Sequence, residues 1–148
     1  MKKTKNNYFY KFTEKCLYEF VTNCAKLEKL QYDFELLKLS GDVQAQKYEQ
    51  SFSHGSVSDP VFARLVKLEN AEREIKKLER LVNPVKNLVS YFEYYPSRKN
   101  FILLKILELY YFGGYTVEAV LQDIHFSRSC FFEQKKILVR KAMSYFGF

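Results

Sequence analysis

The scarcity of glycine and proline limits the folds open to this chain more than any other feature. Only five Gly and three Pro occur in 148 residues. A β-sandwich or β-barrel needs a turn about every ten residues, and turns are built largely from these two residue types. Because 47% of the residues are apolar, wholesale disorder is also disfavoured. The chain is therefore predicted to be all-α, with long helices.

The first apolar pattern spans residues 7–39 and predicts one long amphipathic helix, because apolar side chains recur every three or four positions. Ser40 and Gly41 are predicted to end this helix. The polar segment that follows, up to 53-SHGSVSDP-60, is predicted to be a loop or linker.

A charged helix with a seven-residue repeat is predicted next. Asp59 and Pro60 suit its first positions, and Pro84 is predicted to bend or interrupt it near Asn83. The repeat leaves two alternatives open, a coiled coil between subunits or a seam on which the rest of the chain packs. Its two apolar registers are Val61, Leu68, Ile75, Val82 and Val89, and Ala71, Leu78, Val85 and Phe92. Arg64 interrupts the second register.

A third helix is predicted to start within 94-YYPSRKN-100. Ser97 suits its N-cap, and the apolar segment that follows ends at Phe112. Gly113 and Gly114 are predicted to stop it, since glycine readily takes the left-handed conformation of a helix C-cap.

The segment 116-TVEAVLQDIHFSRSCFFEQKKILVRKAMSYF-146 contains two helix starts in quick succession. Thr116 suits the N-cap of a helix of about two turns, with Glu118 in its first turn, where the helix dipole favours negative charge. A turn at His125 is predicted to lead to Ser127, the N-cap of a longer basic helix. This is the layout of a helix-turn-helix, whose second helix enters the major groove of DNA.

A projection at 100° per residue divides the second helix into two faces. Its polar strip holds Ser129, Glu133, Lys136, Arg140 and Ser144, and its mostly apolar face holds Phe131, Lys135, Leu138, Val139, Ala142, Tyr145 and Phe146. Arg128 projects at the N-terminal tip and suits guanine, whereas Glu133 suits cytosine. Thr116 and Ser127 suit phosphates. The predicted DNA-contacting residues are Thr116, His125, Ser127, Arg128, Ser129, Glu133, Lys136 and Arg140.

The segment 116-TVEAVLQDIHFSRSCF-131 resembles the fourth-region helix-turn-helix of bacterial sigma factors, and 101-FILLKILELYYFGGYT-116 resembles the helix that precedes it there. The whole layout, with a charged helix beginning near 57-VSDPVFARLVKLENAEREI-75, resembles the RinA/ArpU group of late-gene transcription activators from phages of Gram-positive bacteria. The resemblance implies promoter binding upstream of packaging and structural genes.

The resemblance is not complete at four positions. Leu121 stands where the sigma motif usually has Ala, and His125 stands where it usually has Gly. Phe132 and Glu133 replace residues that are often basic, so the groove-facing surface is less positive than the family pattern implies.

Positive charge concentrates at the two ends of the chain. With 24 Lys and Arg against 17 Asp and Glu, the formal net charge is +7, which favours a polyanionic partner. The basic start, 1-MKKTKNNYFYKF-12, leaves two alternatives open: a second DNA contact, through cations interleaved with aromatic rings, or solubilising charge.

No catalytic, metal-binding or cofactor-binding pattern occurs in the sequence. His54 and His125 are the only histidines, and neither is spaced with cysteines or carboxylates as a metal site requires. We therefore expect neither an enzyme nor a cofactor, and interpret His54 as a loop residue. The three cysteines, Cys16, Cys24 and Cys130, are interpreted as small core side chains in a reducing cytoplasm.

A membrane span and a targeting peptide are not expected. The most apolar segment, 101-FILLKILELYYF-112, is too short for a bilayer and contains Lys105 and Glu108. The N-terminus has charge but no apolar signal core. The sequence predicts a cytoplasmic protein, and the resemblance implies that the cell is bacterial.

The leading hypothesis is a sequence-specific DNA-binding transcriptional activator. Three segments are predicted: a helical arm and loop at 1–57, the central charged helix with its Pro-interrupted continuation at 58–95, and a helix-turn-helix domain at 96–148. The first two would mediate homodimerisation or contact RNA polymerase. The alternatives are a helical adaptor without DNA binding, which an exposed apolar patch on the 7–39 helix would favour, and a minimal sigma-like factor.

Overall fold

The computed structural model describes the backbone of residues 2–48 and 60–148, and the side chains of residues 7–40 and 60–148. This part of the chain contains helices and no strand, so the all-α prediction is confirmed. The helices are α1 (Lys2–Tyr48), α2 (Pro60–Tyr94), α3 (Arg98–Lys105), α4 (Val117–Ile124) and α5 (Arg128–Tyr145), and a π-helical segment, Ile106–Phe112, continues directly from α3.

Helix α1 does not end at Ser40 and Gly41, so that prediction is wrong. The helix continues to Tyr48. Ser40 Oγ donates a hydrogen bond to the Leu37 carbonyl oxygen at 3.0 Å, so this side chain bonds back along the helix. A glycine in a helix interior costs only about 1 kcal/mol relative to alanine, which is too little to end a helix on its own.

Helix α2 runs through Pro84 without interruption, so the predicted break near Asn83 is also wrong. Proline costs a helix interior about 3 kcal/mol. Val82, Val85 and Leu88 around it are completely buried, and each such side chain contributes about 1.5–3 kcal/mol. Packing of this face therefore outweighs the proline penalty. Pro60 is the first helical residue, as predicted, whereas the predicted Asp59 cap and the loop with His54 lie outside the described residues.

The chain forms two compact units. The first combines Met1–Asn23 with Arg80–Phe148, and the second is Cys24–Glu79. This grouping differs from the segments 1–57, 58–95 and 96–148, because the first turns of α1 and the last turns of α2 pack with the C-terminal helices.

The core of the first unit draws on all of its helices. Leu17 of α1, Leu88 of α2 and Phe131 of α5 are completely buried in one cluster. The later residues of the heptad registers therefore pack within the chain. This agrees with the alternative in which the repeat is a seam for the rest of the chain. The other buried members of the cluster are Val85, Phe92, Leu103, Ile106, Leu107, Tyr111, Val120, Leu138, Val139 and Ala142.

In the second unit, each of α1 and α2 has a buried apolar residue, and hydrogen bonds join the two helices. Leu27 and Ile75 are buried. Arg64, which interrupts the second heptad register, donates hydrogen bonds to the carbonyl oxygens of Leu37 (3.3 Å from Nε) and Lys38 (2.9 Å from Nη2). The first heptad position, Val61, is 57% exposed, so the repeat does not form a continuous buried seam here.

Helix α3 begins as predicted. Ser97 Oγ accepts the Asn100 backbone N–H at 3.1 Å. The predicted helix runs through Phe112, but from Ile106 onward the observed segment is a π-helix, and the Gly113 N–H donates to the Glu108 carbonyl oxygen at 2.8 Å. Gly114, with φ of 65°, takes the left-handed conformation that stops the helix, as predicted.

Candidate nucleic-acid interface

Two capped helix starts lie close together at the C-terminal end of the chain. Thr116 Oγ1 accepts the backbone N–H of Ala119 at 3.3 Å, and Ser127 Oγ accepts that of Cys130 at 3.3 Å. Both capping residues have extended backbones, which is the usual N-cap conformation. The predicted starts of α4 and α5 are confirmed.

The connection between α4 and α5 is only three residues long, and His125 opens it. His125 has φ of 54° and ψ of 43°, and among the described residues no other non-glycine residue has a positive φ. Histidine enters the left-handed region more readily than most residues. The sharp turn predicted at His125 is therefore made without glycine.

Helix α5 separates its faces as the projection predicts. Phe131, Leu138, Val139 and Ala142 are buried in the core. Met143 is buried too, although the projection does not include it on the apolar face. The residues of the opposite strip, Ser129, Glu133, Lys136, Arg140 and Ser144, are all exposed.

Lys135 lies on the apolar side because it has a counter-charge there. Its Nζ lies 2.8 Å from Glu14 Oε1, and both side chains are largely buried, at 16% and 21% exposure. Tyr111 donates its hydroxyl to the same carboxylate oxygen at 3.1 Å. Burial alone lowers the pKa of Lys135, but its hydrogen bond and attraction to Glu14 outweigh this, so the pKa is raised. This network joins α5 to the first part of α1.

Tyrosines surround this ion pair. Burial, followed by the charge of Glu14, raises the pKa of Tyr111. Burial, followed by a hydrogen bond to Tyr110, likewise raises the pKa of Tyr18, whose hydroxyl donates to Tyr110 Oη at 2.8 Å. Each of these hydroxyls therefore stays neutral at pH values above those at which a tyrosine usually ionises.

Arg128 is ion-paired across the turn. Its Nη1 lies 2.8 Å from Oε1 of Glu118 in α4, and its guanidinium carbon lies 5.9 Å from the centre of the Phe132 ring. The sequence pattern indicates Glu118 only as a favourable charge at a helix N-terminus. The two residues are ten positions apart, so no helical periodicity signals the pair.

All of the predicted contact residues are exposed and lie in the first unit. Thr116 and Ser127 use their hydroxyls as caps, and Ser129 Oγ lies 3.2 Å from Ser127 Oγ. Glu133, Lys136 and Arg140 follow one another along the strip. The arrangement presents hydrogen-bond donors and two cations on one side of α5, with Arg128 at its tip.

Two aromatic residues of the basic start of the chain are engaged in packing, whereas Tyr8 is exposed. Phe9 stacks on Phe148 with ring centres 4.3 Å apart, and Phe12 meets Phe146 edge-on at 6.0 Å. These two rings are thus occupied within the first unit. The side chains of residues 1–6 lie outside the described part.

The described residues do not form a metal site. Across 7–40 and 60–148, no group of three or more His, Cys, Asp or Glu side chains is arranged to hold a metal ion. Cys16 is buried, and burial raises the pKa of its thiol to about 11. Among the described helices, none combines the length and apolar character that a membrane crossing requires.

Comparisons of the chain with protein-family models, with curated proteins and with solved structures found no match.

Proposed function

We propose that this protein is a sequence-specific DNA-binding transcriptional regulator in which α4 and α5 act as a helix-turn-helix. The observation that carries the proposal is the division of α5, which buries one face in the core and leaves a continuous polar strip exposed directly after a short helix and a left-handed turn. A helix of this kind fits the major groove, with its N-terminal residues nearest the bases.

The finer proposal is an activator of phage or phage-related late genes in a Gram-positive host. It is supported by the resemblance of residues 116–131 to the sigma-factor motif and of the whole layout to the RinA/ArpU group. Such a protein would act in the bacterial cytoplasm. Its second unit, outside the proposed DNA-binding unit, would serve self-association or contact with RNA polymerase.

The experiment is selection of duplexes from a random library, followed by affinity measurements at several salt concentrations. Lys136→Ala or Arg140→Ala should weaken binding to every sequence. Each should also reduce the slope of log affinity against log salt concentration by roughly one for each phosphate that is no longer bound. Arg128→Ala should instead relax preference at one base pair. Lys76→Ala is the matched control, because Lys76 is an exposed lysine of the second unit.

The result that contradicts this function is a folded protein that binds no duplex at about 50 mM salt, where phosphate contacts are strong. Equal losses of affinity for Lys76→Ala and Lys136→Ala would also contradict it, since the effect would then reflect total charge and not this surface.

One observation favours a second candidate, a helical adaptor that binds another protein. Tyr32, Leu36 and Leu39 of α1 recur at helical spacing and are 65%, 47% and 62% exposed. Exposed apolar stripes of this kind are typical of protein interaction sites. A heparin column separates the candidates: salt-sensitive retention followed by a sequence-selective shift supports the regulator, and protein-only complexes support the adaptor.

A further inference from the structure

The side chain of Arg128 is restrained on two sides. The carboxylate of Glu118 accepts a hydrogen bond from Nη1 at 2.8 Å, and the Phe132 ring lies under the guanidinium at 5.9 Å. A long side chain that is already ordered loses less conformational freedom when it binds. Arg128 is therefore preorganised at the tip of α5, although it is 65% exposed.

The contact with Glu118 leaves Arg128 able to bind a base. Arginine carries five N–H donors in a planar fork, and the carboxylate accepts from one terminal nitrogen. The remaining donors match the two acceptors, O6 and N7, that guanine presents in the major groove. Resting on the DNA-binding function proposed above, we propose that Glu118 is a positioning residue that orients Arg128 toward one guanine and so sets the base preference at one position of the operator.

The negative charge of Glu118 makes it possible to distinguish the positioning of Arg128 from a contribution to affinity. Glu118 is 64% exposed and lies beside a residue proposed to enter the groove, so its carboxylate repels the phosphates of every duplex. Its removal should raise affinity for unrelated DNA while lowering the preference for guanine. A residue that only stabilised the fold would lower both together with the midpoint of thermal unfolding.

The first measurement compares Glu118→Gln with the unchanged protein on the selected duplex, on its single-base-pair variants and on an unrelated duplex. We expect the preference for guanine at one position to fall roughly 3- to 10-fold, with affinity for the unrelated duplex raised about 2-fold. Glu118→Asp should restore part of the preference. Asp123→Asn, which removes an exposed carboxylate of the same helix, should leave base preference unchanged.

The second measurement is a double-mutant cycle with Arg128→Ala, with thermal unfolding as the folding control. If Glu118 acts through Arg128, Glu118→Gln changes base preference no further once Arg128 is replaced. A further loss of preference at that position in the Arg128→Ala protein overturns the inference.

Other outcomes separate this inference from the function on which it rests. Full retention of the guanine preference by Glu118→Gln, or by Arg128→Ala, overturns the positioning role and leaves DNA binding intact. Absence of duplex binding by the unchanged protein overturns both.

Discussion

Lys135 Nζ of α5 lies 2.8 Å from Glu14 Oε1 of α1, so the helix that presents the polar strip is anchored to the first helix of the chain by a largely buried ion pair. The same carboxylate oxygen accepts the hydroxyl of Tyr111. One side chain of α1 thus holds two C-terminal segments, and the orientation of α5 depends on residues far away in the sequence.

Replacement of Glu14 by glutamine should destabilise the protein by about 2 to 4 kcal/mol, because it leaves the Lys135 ammonium largely buried without its counter-charge. Urea denaturation measures the change. Glu69→Gln is the matched control: its partner Arg73 and Glu69 itself are exposed, and an exposed pair of this type contributes about 0.5 kcal/mol or less. Equal losses of stability for the two variants would contradict the stabilising role of the buried pair.

Stability should fall at alkaline pH. The folded-state pKa values of Tyr18, Tyr111 and Lys135 are raised, so the folded protein holds these protons more tightly than the unfolded chain. The contribution is fully present below the unfolded pKa values, about 10 for both residue types, and is lost as pH rises through the folded values. The Cys16 thiol, whose folded-state pKa is raised above an unfolded value of about 8.5, adds a loss of stability that begins at lower pH. The urea midpoint should therefore stay level up to about pH 8 and fall most steeply above about pH 10.

Two tyrosine variants check the assignment of this pH effect, with the urea midpoint of each measured as a function of pH. Tyr111→Phe should reduce the fall in stability above about pH 10, whereas Tyr115→Phe, at a tyrosine that is 56% exposed, should leave it unchanged. If the urea midpoint fell with pH identically in both variants, Tyr111 would not contribute to the effect.

The local features of the fold and candidate site could be predicted from the sequence. Caps at Ser97, Thr116 and Ser127 need only a side-chain oxygen one turn from a free N–H, and all three are confirmed. The two faces of α5 follow from helical periodicity alone. These signals lie within a few neighbouring residues, so a single sequence contains them.

The features that escaped prediction depend on packing between distant segments. Helix α2 passes Pro84 because its neighbours are buried by other helices, which its own sequence does not reveal. Periodicity places Lys135 on the apolar face, but spacing does not identify its partner Glu14. The π-helix after α3 has no distinct signal either, because π-helical and α-helical segments carry similar apolar patterns and π-helices are rare.

Leu17→Ala should destabilise the first unit by about 2 to 5 kcal/mol, because Leu17 is completely buried among residues of α2 and the C-terminal helices. Val21→Ala, one turn later in the same helix and 52% exposed, should change stability by about 0.5 kcal/mol or less. Thermal and urea unfolding of both variants give the comparison. If Leu17→Ala proved as mild as Val21→Ala, the packing of α1 into this core would be wrong.

His125→Gly should stabilise the protein by about 1 kcal/mol, because glycine takes a left-handed backbone without the steric cost that a Cβ imposes. His125→Val should destabilise it, since β-branched residues are strongly disfavoured at positive φ. Unfolding midpoints of the pair test the geometry of the turn. The opposite order of stability would show that His125 does not adopt this conformation in solution.

The discontinuous first unit, made of Met1–Asn23 and Arg80–Phe148, has a consequence for how the chain reaches its native state. Most helical proteins fold fast because their contacts are local, but the packing of Leu17 requires closure of the intervening segment, at an entropic cost on the order of 3 to 4 kcal/mol. During synthesis, the apolar face of early α1 cannot be buried until residues beyond Arg80 have left the ribosome. We expect slower folding than in an all-α chain of this length with local contacts. We also expect the partly synthesised chain to expose this face.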